Sequence, residues 1–205
     1  LIIPLALLVG ALAQPLMQLF QAGAFTADEV NNVGSILAVW VLSLPFYAGY
    51  MYMYRVFAAL RSFLKFALID FVVRFVQVAG YWYLCQPNVL GLAGIPVADL
   101  GFYAVMFVVC SFIVRGKVGG YGNRGIVVMV VKTVVASVVG AVAAGVLANG
   151  MGVLLAGVAI SAVVKAVAIL AVSGIVGLVV SFGLCKVLRV EEFAVLSRIG
   201  SKFAG

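Results

Sequence analysis

Apolar residues in this chain arrive in unbroken blocks of roughly 20 or more, the length of helix that crosses a hydrocarbon core of about 30 Å. That feature limits the fold more than any other. Between the blocks lie short polar gaps, and the gaps bound six candidate spans: 1–20, 33–54, 66–86, 92–114, 125–148 and 164–185. Composition supports the same class. Hydrophobic residues make up 66% of the 205 and charged residues only 9%, too few to cover a water-soluble domain. A transmembrane β-barrel needs short alternating strands, and these Val, Ala, Leu and Gly blocks do not alternate. The expected fold is all-α, a polytopic integral membrane helix bundle with about six transmembrane helices.

The connections alternate in charge. Residues 21–32 contain Asp28 and Glu29 and no basic residue, whereas the next connection carries Arg55, Arg61 and Lys65. The turn around Gln86, Pro87 and Asn88 is uncharged, and the fourth connection carries Arg115, Lys117 and Arg124. The fifth, around Asn149 and Gly150, is uncharged until Lys165, and the tail carries Lys186, Arg189, Arg198 and Lys202. Basic residues collect on cytoplasmic loops, so the alternation predicts that both ends are cytoplasmic and the acidic loop is outside. The net charge of +7 then reads as a topology signal with an attraction to anionic lipid heads. Nucleic acid is not implied, because the basic residues are divided among three loops and a tail with no aromatic-interleaved patch.

The stretch from Met151 to Cys185 is too long for one span and too short for two. Lys165 at the outer interface can snorkel, which leaves 151–163 as an interfacial or re-entrant piece. The chain starts at Leu1 inside an apolar run, with no basic n-region or cleavage site, and reads as the middle of a longer protein.

Local signals sharpen this outline. Gly23 suits a left-handed helix end, and Thr26 with Glu29 three residues later reads as a capping box for the next helix. Pro15 and Pro45 lie within apolar spans and are hinge candidates, with a static kink the commoner alternative. Asp70 and Arg74 stand four apart on the third span and can pair; Asp99 follows Pro96 on the fourth. Charges at such depth cost a few kcal/mol and usually face a cavity or a partner. The three are candidates for a substrate cavity or for coupling to a cation. The alternative is an internal Asp70–Arg74 pair that fixes packing, with Asp99 near enough to the interface to be wet. Small residues recur every fourth position at Ala136, Gly140, Ala144 and Ala148, and again at Ser173, Gly177 and Ser181, so the last two spans are expected to pack together or against a lipid tail.

Enzyme chemistry lacks its usual groups. There is no His for a triad or an imidazole metal site, and Cys85, Cys110 and Cys185 are far apart in apolar sequence. Gly116, Gly119, Gly120 and Gly122 do not form a Walker pattern. The reading is therefore of a protein that is not an enzyme, with no cofactor and no metal site.

The order of motifs resembles the C-terminal half of the MurJ/MviN family, lipid II flippases of the MOP superfamily. The resemblance rests on Pro4, Leu8 and Leu12, then Gln14-Pro15-Leu16 and Leu19-Phe20-Gln21, then Gly23-Ala24-Phe25-Thr26-Ala27-Asp28. It extends through Ser43-Leu44-Pro45-Phe46, Arg55-Val56-Phe57-Ala58, Gly91-Leu92-Ala93 and the amphipathic ending Arg189-Val190-Glu191-Glu192-Phe193. The chain departs from the family at 57–65, where the usual Tyr, Asp and Pro of the cytoplasmic turn are missing. A divergent MurJ and a neighbouring polysaccharide-lipid flippase both fit.

The resemblance implies a lobe of four helices over 1–115, followed over 116–205 by two further helices and a short basic cytoplasmic tail, with an N-terminal lobe elsewhere. It also implies a bacterial plasma membrane and a lipid-linked oligosaccharide substrate of the undecaprenyl-diphosphate type. Alternating access, a coupling cation, and an apolar groove for the lipid tail on the last two helices follow from it as well. Two alternatives stand beside it: export of another polyprenyl-linked glycan or amphiphile, and a non-transporting membrane scaffold for envelope assembly.

Overall fold

The computed structural model of the chain describes residues 2–20, 26–118, 123–157 and 161–188. All regular structure among them is helical: α1 (Ile2–Ala11), α2 (Ala13–Gln18), α3 (Ala27–Val41), α4 (Leu44–Ala59), α5 (Phe63–Leu84), a short 3₁₀ turn (Gly91–Ala93), α6 (Gly94–Val118), α7 (Asn123–Ala156) and α8 (Ala162–Val187). Among the described residues, four stretches are long and apolar enough to cross a membrane: Asp28–Ala59, Gly91–Lys117, Val127–Leu155 and Ala162–Val187. The expected all-α, polytopic bundle is thus observed. The 22-residue α5 has spanning length but carries Lys65, Asp70 and Arg74, and it is not among those four.

Two of the expected spans are broken, each by a proline. Pro15 has no N–H for the carbonyl of Ala11, four residues back, and its ring presses on that carbonyl. Helix α1 ends at Ala11, and Leu12 turns to φ −102° before α2 resumes. Pro45 stands in the same relation to Val41, where α3 ends. There Ser43 bridges the gap. Its N–H and its Oγ both donate to the Trp40 carbonyl, at 3.0 and 2.7 Å.

The fifth span differs from expectation. A connection was expected around Asn149 and Gly150, with 151–163 as a separate interfacial or re-entrant piece. Instead α7 runs without interruption for 34 residues to Ala156, about 51 Å at 1.5 Å per residue. A glycine in a helix costs about 1 kcal/mol relative to alanine. In an apolar setting an open backbone has no water to satisfy it, which outweighs that penalty. Helix α8 begins beyond it, where Ser161 caps the N-terminus by accepting from Val164 N–H, with Lys165 in the first turn. Gly23, the glycines 119, 120 and 122, residues 158–160 and the tail from 189 lie outside the described residues.

The chain divides into two compact units, one made of Ile3–Gly34 with Gly122–Gly205 and the other of Ser35–Tyr121. In the first, α7 packs along α8 through the small residues that the sequence spaces every fourth position. Ala136, Ala144, Ser173 and Ser181 are buried there, with at most 1% exposure. A Cβ on Gly140 would collide with Ser181 Oγ and lie 2.8 Å from the Gly177 carbonyl oxygen; one on Gly177 would lie 2.9 Å from Ala144 Cβ. Leu8, Leu12, Ala144, Ala148 and Ile169 form the adjoining core. Lys132, inside α7, donates to the Leu188 carbonyl at 3.2 Å, so its charge meets the negative end of α8.

The second unit is held by a stripe on α6, Phe102, Met106, Cys110 and Val114, which packs against Tyr50, Met53 and Phe57 of α4 and Phe66 of α5. Steps of four put the α6 residues on one face, and α4 answers with a spacing of three and four. Gly49 leaves room for the Phe107 ring, which a Cβ would meet at 2.5 Å. The α5–α6 turn is equally tight, since a Cβ on Gly94 would lie 2.6 Å from the Leu84 carbonyl.

Candidate functional site

Helix α5 presents Asp70, Arg74, Gln77 and Tyr81 at intervals of four, three and four, one polar stripe in an otherwise apolar helix. Each member makes a specific contact. Arg74 Nε donates to Asp70 Oδ2 at 2.8 Å within the helix, with the acid N-terminal to the base, the favoured order. Asp70 Oδ1 accepts from the Tyr50 hydroxyl of α4 at 3.0 Å. The Arg74 guanidinium lies 4.6 Å from the ring centroid of Phe102 on α6. Asp70 is therefore satisfied on both oxygens and neutralised by a cation.

Asp99 is held differently. It sits on α6, partly buried, and its Oδ1 accepts from Gln77 Nε2 at 2.7 Å and from the Tyr81 hydroxyl. Gln77 Nε2 also reaches the Tyr81 oxygen at 2.8 Å. Among the described residues no cation pairs with Asp99; only neutral dipoles do. Counting formal charges over Asp70, Arg74 and Asp99 leaves the stripe with one uncompensated negative charge, and it resides on Asp99. An ammonium group or a monovalent metal cation would find there a carboxylate with a phenol oxygen beside it. No three His, Cys, Asp or Glu side chains gather anywhere among the described residues.

Tyrosines connect the stripe to the α3–α4 break. Tyr103, one turn beyond Asp99, lies edge-on to Tyr47 with centroids 5.2 Å apart and packs on Tyr50 at 5.6 Å. A cleft of about 480 Å³ opens where Pro45 interrupts the helix, lined by Trp40, Val41, Ser43, Tyr47 and Tyr103. Pro15 and Pro45 thus mark breaks in their spans, and the second break adjoins the polar stripe.

The structure brings Asp70 and Arg74 together and places Asp99 apart from them, tied to the same face of α5. Sequence reasoning missed Tyr50, Gln77, Tyr81 and Phe102. Gln77 and Tyr81 had a signal, since they continue the helical spacing begun by Asp70 and Arg74. Tyr50 and Phe102 come from other helices and had none.

The family model described as lipid II flippase MurJ matches residues 1–168. The chain belongs to the MurJ family. No curated protein and no solved structure matches it. MurJ proteins are flippases by description, so the family is one of transporters, and the chain is a multi-pass membrane protein of that family. The match covers the polar stripe, both proline breaks and all of α7, and ends inside α8.

Proposed function

We propose that this chain is the C-terminal half of a flippase that moves lipid-linked peptidoglycan precursor across the bacterial cytoplasmic membrane. The family match over 1–168 carries the reading. Motif order supports the assignment to the C-terminal half, and the alternation of basic and acidic connections supports cytoplasmic ends. In this reading 1–115 belongs to a transporter lobe and 116–205 supplies the last two helices, whose small-residue faces adjoin a groove for the undecaprenyl tail.

The head group crosses by alternating access, with the breaks at Pro15 and Pro45 as hinges. Asp99 is the residue we assign to a coupling cation, because of Asp70, Arg74 and Asp99 it is the one without an oppositely charged partner among the described residues. Asp70 and Arg74 hold α4, α5 and α6 in the register that presents Asp99. No residue of the chain is assigned a covalent step.

The test is depletion of the full-length protein in its host, followed by an assay of which leaflet holds lipid II. Accumulation on the cytoplasmic side, reversed by re-expression, is the expected result. An unchanged distribution in a host with no second flippase would transfer the assignment to another polyprenyl-linked glycan. The departures at 57–65 bear on the substrate more than on the fold. A scaffold predicts instead that Asp70 and Arg74 can be replaced together by apolar residues without loss.

A further inference from the structure

The break between α3 and α4 leaves a carbonyl without a donor. The carbonyls before it are claimed in turn: Val39 accepts from Leu42 N–H at 3.2 Å, and Trp40 accepts from the N–H and the Oγ of Ser43 at 3.0 and 2.7 Å. The donor due to Val41 would belong to residue 45, a proline, which has none. No other backbone N–H replaces it among the described residues. Val41 is the last residue of α3, so the negative end of that helix dipole lies at the same place. The break falls near the middle of the 32-residue apolar stretch Asp28–Ala59. Interrupted membrane helices present cations with free carbonyls and helix C-termini of this kind.

The cleft of about 480 Å³ at the break adds aromatic walls. Val41 lines it together with Trp40, Tyr47 and Tyr103. The rings of Tyr47 and Tyr103 stand at 78° to each other with centroids 5.2 Å apart. A single cation can therefore lie within about 6 Å of both, the range over which an aromatic face attracts charge. The local charge has the complementary sign. No lysine or arginine is among the described residues that line the cleft. Tyr103 follows Asp99 by one turn of α6, and Asp70 and Arg74 cancel each other.

The lining also selects the kind of cation. It contains no carboxylate among the described residues, whereas a metal ion or a primary ammonium needs several oxygens to replace its water. A nitrogen covered by carbon substituents is weakly hydrated and suits aromatic faces instead. Leu37 and Leu44 complete the wall with apolar surface for those substituents. We propose that the cleft at the α3–α4 break binds an organic quaternary ammonium, its charge held by Trp40, Tyr47, Tyr103 and the Val41 carbonyl. The volume suits such a ligand, since small-molecule pockets run from about 300 to 1,000 Å³. The site is separate from Asp99, which does not line the cleft, and it stands whether or not the chain moves lipid II.

The probe is benzyltrimethylammonium, titrated by calorimetry into the full-length protein in nanodiscs, with the signal of empty nanodiscs subtracted. Saturable binding is expected. Neopentylbenzene, in which carbon replaces the charged nitrogen, is expected to compete about tenfold more weakly. Trp40 is half exposed, so Trp40→Leu should keep the native melting temperature while binding weakens about tenfold. Trp40→Phe restores a ring and should recover most of that loss. Tyr47→Leu is expected to weaken binding similarly and serves as the test should Trp40→Leu not fold. Absence of saturable binding to the native protein would overturn the proposal. So would equal competition by the neutral isostere, which would make the cleft an apolar groove only, or native affinity in a folded Trp40→Leu or Tyr47→Leu variant.

Discussion

Asp70 and Asp99 are the same side chain in neighbouring helices, and their partners give them opposite properties. Asp70 has a guanidinium at 2.8 Å and a phenol at 3.0 Å. Removing Arg74 leaves a carboxylate uncompensated in an apolar bundle; removing both charges removes the problem. Asp70→Asn and Arg74→Gln should each lower the melting temperature of the detergent-solubilised protein. The double variant should lose less than the sum, with a coupling of about 0.5–3 kcal/mol. Strict additivity would show that the pair is not an energetic unit.

Asp99 makes a contrasting prediction. Asparagine retains the Oδ1 acceptor for Gln77 and Tyr81, so Asp99→Asn should leave melting within about 1 kcal/mol of the native protein. Its dependence on an ion gradient should vanish in a transport assay. A variant that melts far lower, or that transports with unchanged gradient dependence, would place the role of Asp99 in packing. A third residue-scale outcome concerns Ser173 and Ser181, whose hydroxyls are buried without a hydrogen-bond partner. Thr133 and Ser137, by contrast, donate to the carbonyl four residues back. Ser181→Ala should therefore be neutral or stabilising by up to about 1 kcal/mol, read by thermal melting, and a clear loss would reveal a polar function for that hydroxyl.

At the scale of elements, glycine and proline account for most of what is distinctive. Gly140 permits close approach of α7 and α8, and Gly140→Val would push its side chain into Ser181 and the Gly177 backbone. Overpacking of this kind costs about 1–3 kcal/mol. The loss should appear as early melting of the purified protein and as reduced cross-linking between cysteines introduced on α7 and α8. Retention of both would mean that the helices pack elsewhere.

The helices themselves were legible from the apolar blocks, and the breaks from Pro15 and Pro45, because proline acts on a carbonyl four residues away in its own chain. The run of α7 through Asn149 and Gly150 was not legible. Those residues carry the composition of a turn, and only the absence of water around the backbone reverses their preference. The contacts of Tyr50 with Asp70 and of Lys132 with Leu188 were hidden for a different reason: they join residues 20 and 56 positions apart. The α5 stripe was half legible, since Asp70 and Arg74 are charged and Gln77 and Tyr81 simply continue their spacing.

At the scale of the molecule, one apolar sequence supports two units with different chemistry. The first is joined by small residues and the second by aromatics, with the polar stripe inside the second. In hydrocarbon no hydrophobic force separates helix from lipid, so close backbone approach and aromatic interlocking are the means of holding such units. We propose that the protein carries lipid II from one leaflet to the other. Full-length protein reconstituted into vesicles with fluorescent lipid II, with dye quenched from outside over time, tests it most directly. The account predicts that quenching passes the half reached in protein-free vesicles and approaches completion, and that Asp99→Asn slows it. Quenching that stops at half with native protein, while the same preparation is shown to be folded, would contradict it.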